Sequence, residues 1–333
     1  MCVLPAPKPI GETGRLDYRQ TSGRSRTVEV LRPGVPETTP GIVGGVGNKT
    51  GRRDGAGLSA MTTYTTERPL RILSLGWGVQ SWTLAAMAAL GEIPMPDYAV
   101  HADTAHEMAG TYAHAEKWTP WLEEHGVKVR TVQAKQNYVM DGQGKSSYRI
   151  QIPAHTYNLL TGEKGQAKRQ CTQNWKIDPL RRFARSVINK TSPECVEMWM
   201  GISLDEWQRM RDSGTQYIKN VYPLVDRRHS RSYCVAWLEQ HGLDIPPKSA
   251  CTFCPYHNKD YWKRMKQAGG ADWDEAVAVD HGIRESGKGK GTEYQLFVHS
   301  SNLPLEEAVR IPEDYGAKQM EMDIPCDSGH CFV

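Results

Sequence analysis

An alternation of short apolar runs with amphipathic stretches begins at Leu70 and constrains the fold more than any other feature of the sequence. Residues 71–75 and 97–102 are predicted as strands, residues 80–90 and 107–125 as helices, and residues 127–132 as a third strand. Strands that alternate with helices of this length pair in parallel, and the helices cover the sheet. We therefore predict an α/β fold with an open, mostly parallel sheet and helices on both faces.

Composition narrows the class of protein. The chain has 333 residues, 39% of them hydrophobic, which is enough for one large or two ordinary domains. The net charge is +3, but residues 1–60 hold nine Lys/Arg and five Asp/Glu, so the remainder carries about −1. Bulk charge thus argues against a basic nucleic-acid-binding protein. The sequence contains neither a membrane-length apolar run nor a signal-peptide pattern, and we expect a cytoplasmic protein that contacts no membrane.

The sequence divides into three regions. Residues 1–66 are rich in Gly and Pro and are predicted to be disordered, or to be a mis-assigned extension, because Met61 offers a second plausible start. Residues 67–230 form the predicted nucleotide-binding domain, with residues 134–170 as an inserted hairpin or flap. Residues 231–333 form a mainly helical C-terminal region that contains a Cys-x-x-Cys pair.

Further elements follow the insert. We predict a helix at residues 177–187, a strand that ends at Ser203 and a helix at residues 205–211. Residues 232–242 and 258–269 are predicted helices on either side of the cysteine pair.

A glycine turn, "SLGWGVQS", connects the first strand to the first helix. Such a turn directs backbone N–H groups and the positive end of a helix toward an anion, although a tight turn without a ligand is the ordinary alternative. It is neither a Walker A loop nor a Gly-x-Gly-x-x-Gly fingerprint. Asp103, Thr104 and Glu107 follow the second strand, at the sheet edge where α/β proteins bind ligands. An acid there could bind ribose or Mg²⁺, whereas a helix cap with Glu107 as capping-box partner is the structural alternative.

Five motifs resemble those of the adenine-nucleotide α-hydrolase superfamily, especially its phosphoadenosine phosphosulfate (PAPS) reductase-like branch of PP-loop enzymes. They span most of residues 70–265 and are "SLGWGVQS", "HADTAHE", "RQCTQNWKIDPLRRF", "GISLDEWQRM" and "KSACTFCPY". The resemblance implies an adenine nucleotide α-hydrolase-like, Rossmann-like sheet. It also implies that ATP or a PAPS-like adenine nucleotide binds with Mg²⁺.

Carried onto this chain, the resemblance gives a nucleotide site. The residues concerned are Ser74, Gly76, Trp77, Gly78, Val79, Gln80 and Ser81 in the turn, and Asp103, Thr104 and Glu107 after the second strand. Gln80 and Ser81 would also take part in catalysis. Two residues depart from the family pattern, because Trp77 occupies a glycine position and Gln80 replaces the usual acid.

The cysteines suggest a metal centre. In the cytosol eight cysteines point to metal, cluster or redox chemistry rather than to structural disulfides. Cys251 and Cys254 form the Cys-x-x-Cys pair, and Cys171 and Cys234 lie in the flanking motifs. Four thiolates suit a 4Fe-4S cluster or zinc, and buried reduced thiols are the structural alternative. In the enzymes that the chain resembles, cysteines at comparable places hold a cluster near the nucleotide, or zinc in some relatives. If Cys171, Cys251 and Cys254 alone are ligands, the resemblance implies one iron left open to accept a sulfide, whereas Cys234 as fourth ligand would close the cluster.

Phosphate chemistry also requires positive charge, because charge develops on the leaving oxygens. The motifs offer several cations, of which Arg169 and Arg209 are the predicted catalytic ones; a solvated helix face is the alternative for each. Cys195 is expected in the core. Cys326 and Cys331 either fold over the site or form a labile disulfide.

These features support a PP-loop enzyme that binds ATP, cleaves or activates at the α-phosphate, and serves sulfur transfer or nucleic-acid modification. The alternatives are a PAPS reductase, which would need Cys326 or Cys331 as nucleophile, and a non-catalytic nucleotide-binding accessory protein, which Gln80 favours. Expected partners are an adenine nucleotide, a nucleic-acid substrate or a sulfur-donor protein, and a second copy of the chain as a homodimer.

Overall fold

The computed structural model describes residues 68–135, 150–188, 191–285 and 292–310, together with strand segments 3–4, 64–65 and 288–289. The chain divides into a unit of Met1–Pro5 with Tyr64–Val333 and a second unit, Ala6–Thr63, which lies outside the described residues. Most of the predicted N-terminal extension and the Cys326–Cys331 pair also lie outside them. Within the described residues, no helix combines the length and apolarity that crossing a membrane requires.

The strands are β1 (Val3–Leu4), β2 (Tyr64–Thr65), β3 (Leu70–Ser74), β4 (Tyr98–Asp103), β5 (Val129–Gln133), β6 (His155–Asn158), β7 (Lys164–Gln166), β8 (Val196–Trp199), β9 (Ile218–Val221), β10 (Lys288–Gly289) and β11 (Thr292–Phe297). The helices are α1 (Val79–Ala89), α2 (Ala109–Glu124), α3 (Asp178–Ser186), α4 (Pro223–Asp226), α5 (Arg231–Gln240), α6 (Lys259–Ala268), α7 (Ala271–Ile283) and α8 (Leu305–Ala308). A π-helical turn, Thr172–Ile177, leads into α3, and Leu204–Arg209 is 3-10 helical.

The central sheet has five strands in the order β5-β4-β3-β8-β9, and every neighbouring pair is parallel. Its two faces follow the alternation of side chains along a strand. Leu73 packs with α1, α2 and α5 on one face, whereas Ile72 packs with α3 on the other. The predicted fold class, an open parallel sheet with helices on both faces, is therefore confirmed.

A second core lies under a smaller, antiparallel sheet with the order β10-β11-β6-β7. Trp175, Phe253 and Trp262 are fully buried there, together with residues of α7 and α8. Part of the predicted insert, residues 155–166, forms the β6–β7 hairpin of this sheet, and its residues 136–149 lie outside the described residues.

Several elements differ from the sequence prediction. The described part of the C-terminal region is mainly helical, as predicted, but it also contributes the strand β11, which pairs with β6. Residues 205–211 were predicted as a helix, but the chain forms a 3-10 turn over Leu204–Arg209 that is interrupted by non-helical dihedrals at Glu206. The strand β9 was not predicted, because "IKNV" mixes apolar and polar residues without clear alternation.

Candidate functional site

The N-terminus of α1 opens into a cavity of about 80 Å³ at the carboxyl edge of the sheet. Its walls include Gly78, Val79, Gln80 and Ser81 from the glycine turn, and Ser74 at the end of β3. Gly78 caps the helix without a side chain, and the first turn of α1 contains no acidic residue. The amide hydrogens and the positive helix end are thus left for an anion.

Trp77, the residue at the family's glycine position, does not line this cavity. Its φ of 55° lies in the left-handed region that favours glycine. The indole is 1% exposed and packs against Trp82, with ring centroids 6.0 Å apart, and against His114, at 5.8 Å. Core packing therefore offsets the backbone strain, and the predicted ligand contact of Trp77 is not formed by its side chain.

Ser81 stabilises the turn from within. Its Oγ accepts a hydrogen bond from the Gly76 amide at 3.1 Å and donates to the Gly78 carbonyl at 3.2 Å. The segment after β8 approaches so closely that a Cβ on Gly201 would lie 2.8 Å from the Ser81 nitrogen. Gly201 lines the same cavity, so glycine at this position brings the second wall of the site against α1.

Three cations line the cavity: Arg209, Arg231 and Lys248. The Nε atoms of Arg209 and Arg231 are buried without a hydrogen-bond partner among the described residues. Buried donors of this kind normally find an acceptor. An anionic ligand in the cavity would supply one.

Gln80 links the opposite charges around this cavity. Its Nε2 donates to Glu206 Oε2 at 3.0 Å, and its Oε1 accepts from Arg231 Nη1 at 2.8 Å. Arg209 binds the same Glu206 oxygen at 2.7 Å. A neutral amide can satisfy an acid and a cation together, whereas an acid at position 80 would repel Glu206. The neutral amide at position 80 therefore has a local electrostatic cause.

A larger cavity of about 320 Å³ continues from the first along the ends of β3, β8 and β9. The two share Ser74, Met200, Ile202 and Arg209. The larger cavity is lined by apolar side chains such as Leu180 and by the charged side chains of Lys176, Arg181, Arg209, Arg211 and Asp212. A pocket that combines apolar walls with polar groups, beside an anion site, can hold a nucleoside with attached phosphates.

The third cavity, about 40 Å³, holds three of the four predicted metal ligands: Cys171, Cys251 and Cys254. Arg169 also lines this cavity, and its guanidinium lies 5.4 Å from the centroid of the Tyr256 ring. The sequence predicted Arg169 as a phosphate-chemistry cation, but the structure places it beside the thiols. Burial, reinforced by the nearby Glu107 charge, raises the pKa of Cys251 well above its usual value.

Cys234 does not join the other three cysteines. It is fully buried on α5 in the core that contains α1, and burial raises its pKa to about 11. Among the described residues, no three His, Cys, Asp or Glu side chains are grouped closely enough for a single metal ion. The predicted set of four cysteine ligands is therefore not assembled.

A buried ion pair separates the cysteine cavity from the larger one. Lys176 lines both cavities, and its Nζ lies 3.3 Å from Glu107 Oε1. Thr104 Oγ1 donates to the same Glu107 oxygen at 3.3 Å and lies 3.5 Å from Cys251 Sγ. Ser249 Oγ is 3.4 Å from Glu107 Oε2 and donates to the Gly76 carbonyl at 2.6 Å. These contacts join the glycine turn to the cysteine loop.

The predicted nucleotide contacts after β4 are engaged in internal bonds. Asp103 accepts from the Ala105 amide and the Tyr112 hydroxyl, each at 2.8 Å, and from Gln133 Nε2 at 2.6 Å. Although desolvation opposes the change, these bonds hold the pKa of Asp103 below its usual value. Asp103, Thr104 and Glu107 line none of the three cavities. The alternative capping box is also absent, since α2 begins after Met108 without a side-chain cap.

Sequence reasoning missed Arg231, Lys248 and Ser249 as site residues, and did not select Lys176. Lys176 and Lys248 lie in motifs that were recognised, so proximity to the cysteines was an available signal. Arg231 lies in "DRRHSRSY", which carries no motif, and only the fold brings it to Gln80.

No protein-family model and no curated protein matches this chain. Among solved structures, it is similar to a phosphoadenylyl-sulfate (PAPS) reductase from Candida auris, with a TM-score of 0.36 and 9% identity over 56% of this chain and 82% of that chain. It is also similar to the U34-tRNA thiolase NcsA from Methanococcus maripaludis with its 4Fe-4S cluster, with a TM-score of 0.33 and 12% identity over 66% of each chain.

Proposed function

We propose that this chain is an enzyme that binds ATP or a related adenine nucleotide, with Mg²⁺, and activates an acceptor at the α-phosphate during sulfur transfer. One observation carries the proposal: three cavities adjoin one another. The anion cavity is the one at the N-terminus of α1, the apolar cavity is the larger one beside it, and the cysteine cavity is the one that Cys171, Cys251 and Cys254 line. The first two share Ser74 and Arg209, and the last two share Thr172 and Lys176.

In this proposal, each part of the nucleotide lies in a different cavity. The terminal phosphates occupy the first cavity, where the N-terminus of α1 and the cations Arg209, Arg231 and Lys248 surround them. The nucleoside occupies the larger, apolar cavity. The α-phosphate, which connects the two, then lies at the shared wall of Ser74 and Arg209.

The chemistry follows from that position. An acceptor oxygen attacks the α-phosphorus, its bond to phosphorus forms, and the bond to the β-phosphate oxygen breaks with release of pyrophosphate. Charge develops on the leaving oxygens, where Arg209 and Arg231 stabilise it without reorganisation. A sulfur nucleophile then attacks the activated carbon, and AMP departs with the acceptor oxygen.

The cysteine cavity would hold the group that carries the sulfur. Cys171, Cys251 and Cys254 line this cavity together, and thiolates are the ligands that iron–sulfur clusters use. With those three as ligands, such a cluster would keep one iron without a protein ligand and so could carry sulfur. Lys176, paired with Glu107, lies between this cavity and the nucleotide.

Isothermal titration calorimetry with ATP and Mg²⁺ tests the nucleotide assignment. Wild-type protein should bind, and Arg209→Gln should weaken binding by about tenfold or more, because a charged hydrogen bond of about 1.5–3 kcal/mol is lost. Arg185→Gln is the matched control, since Arg185 is exposed on α3 and lines none of the three cavities.

Three outcomes would contradict the proposal. If the wild-type protein does not bind ATP, the assignment of a nucleotide site is wrong. If Arg185→Gln weakens ATP binding as much as Arg209→Gln does, the cavity is not the binding site. Sulfite release from PAPS in the presence of thioredoxin, without any turnover of ATP, would assign the reductase activity instead.

A further inference from the structure

The most exposed tryptophan of the chain lies at the edge of the anion cavity. All ten tryptophans are described, and Trp207 is the one whose side chain is largely in solvent, at 63% exposure. It belongs to the 3-10 turn whose Glu206 and Arg209 line the cavity. An exposed indole can stack on a planar ring of a ligand when aromatic and charged neighbours accompany it.

Aromatic neighbours are present. The rings of His229 and Tyr233 stack in parallel, with centroids 3.8 Å apart and an interplanar angle of 9°. Tyr233 is 41% exposed. The Leu204 amide donates to the His229 carbonyl at 2.8 Å, so the 3-10 turn that carries Trp207 is bonded to the segment that carries these two rings.

Two arginines lie next to these rings in the sequence: Arg227 and Arg228 are exposed, as is Asp226. Two other cations of the segment, Arg209 and Lys219, are paired with Glu206 and Glu194. Residues 207–233 contain six Lys/Arg and two Asp/Glu, a net charge of +4. The two acids are Asp212 and Asp226. Two further acids precede Trp207 but are already bonded: Asp205 accepts from the Arg231 amide, and Glu206 binds Gln80 and Arg209.

We propose that this surface, defined by Trp207, Arg227, Arg228, His229 and Tyr233, binds single-stranded nucleic acid. The inference rests on the proposed function, for which it names the class of acceptor. Unpaired bases stack on exposed aromatic rings, and arginines bind the phosphates between them. A duplex hides its base faces, so the exposed indole favours a single strand. The strand is thereby led to the cavity in which the nucleotide is activated.

Fluorescence anisotropy with the full chain and labelled oligonucleotides tests this proposal. The probes are single-stranded DNA, single-stranded RNA and a duplex of the same sequence, measured at two salt concentrations. Wild-type protein should bind at least one single strand more tightly than the duplex. Trp207→Ala and the double variant Arg227→Ala/Arg228→Ala should each weaken that binding by about tenfold, and the double variant should lower the salt dependence.

The matched control is Arg130→Ala/Arg264→Ala, which removes two exposed arginines from β5 and α6. The proposal is overturned if no single strand binds, if the duplex binds equally, or if the control weakens binding as much as the surface variants. A change in oligomeric state of Trp207→Ala with unchanged oligonucleotide affinity would assign the surface to a second copy and also overturn it. ATP titration separates the two proposals, since a wild-type protein that binds the single strand but no ATP would contradict the proposed function and not this surface.

Discussion

Gly201 and Ser81 meet so closely that no side chain fits between them, with a Cβ on Gly201 lying 2.8 Å from the Ser81 nitrogen and 3.0 Å from its Cα. Ser81 lies in the first turn of α1, whose N-terminus faces the anion cavity, and Gly201 lines the same cavity. The contact therefore sets the width of the candidate phosphate site.

Gly201→Ala should open this contact. The methyl group meets backbone, which cannot rotate away, so we expect a loss of about 1–3 kcal/mol in the free energy of unfolding and weaker ATP binding. Gly78→Ala is the matched variant, because its Cβ would meet only Ser249 at 3.8 Å. It should leave stability nearly unchanged and lower ATP affinity alone. Urea unfolding and calorimetry measure both; equal stability of the two variants would contradict the account.

Gln80→Glu should weaken the site, although it restores the acid usual in the family. The new carboxylate would face Glu206, whose Oε2 lies 3.0 Å from the present amide nitrogen. We expect about tenfold weaker ATP binding, equivalent to about 1.4 kcal/mol. Gln80→Met removes the amide without adding charge and should have a smaller effect. Tighter ATP binding by Gln80→Glu would show that the neutral amide is not required.

Lys176→Met should destabilise the fold, because it leaves the buried Glu107 without its cation. Breaking such a pair costs about 3–5 kcal/mol, whereas replacing both partners is far less costly. The double variant Lys176→Met/Glu107→Gln should recover much of the loss. Thermal and urea unfolding of the wild type and the two variants measure this; a double variant as unstable as Lys176→Met would contradict the pairing.

The cysteines should separate into two groups by iron content. After anaerobic reconstitution, Cys171→Ser, Cys251→Ser and Cys254→Ser should each lose iron, because all three residues line one cavity. Cys234→Ala should retain it, since Cys234 lies in the core beside α1. Iron analysis per chain is the measurement. Loss of iron from Cys234→Ala, with folding intact by circular dichroism, would restore the four-cysteine site.

Stability should fall in mild acid through His114. Burial lowers its pKa from 6.5 to about 4, and its Nε2 is buried without a hydrogen-bond partner among the described residues. As the pH falls, the unfolded chain therefore binds a proton at this histidine before the folded chain does. The contribution of the neutral imidazole to the free energy of unfolding is complete above pH 6.5 and is lost as the pH falls toward about 4. Urea unfolding across this range should show a shallower pH dependence for His114→Gln. An unchanged slope would contradict the assignment.

Much of the fold could be predicted from the sequence, because buried strands and amphipathic helices have distinct periods. The carboxyl edge of the sheet was also predictable as the location of the site. Partners far apart in the chain were not: Gln80 and Glu206 are joined only by folding. Cys234 shows the same limit, since spacing to Cys251 does not reveal which side of a helix faces the core. The burial of Trp77 likewise depends on α2, which brings His114 to it.

The central claim is that the adjoining cavities place the α-phosphate of ATP at Ser74 and Arg209. Product analysis of α-phosphate-labelled ATP, incubated with the iron-reconstituted protein, Mg²⁺, a sulfide source and a single-stranded oligonucleotide, tests it most directly. The account predicts labelled AMP with an equal amount of pyrophosphate, and loss of both in Arg209→Gln. Labelled ADP with inorganic phosphate, or AMP formation that Arg209→Gln leaves unchanged, would contradict it.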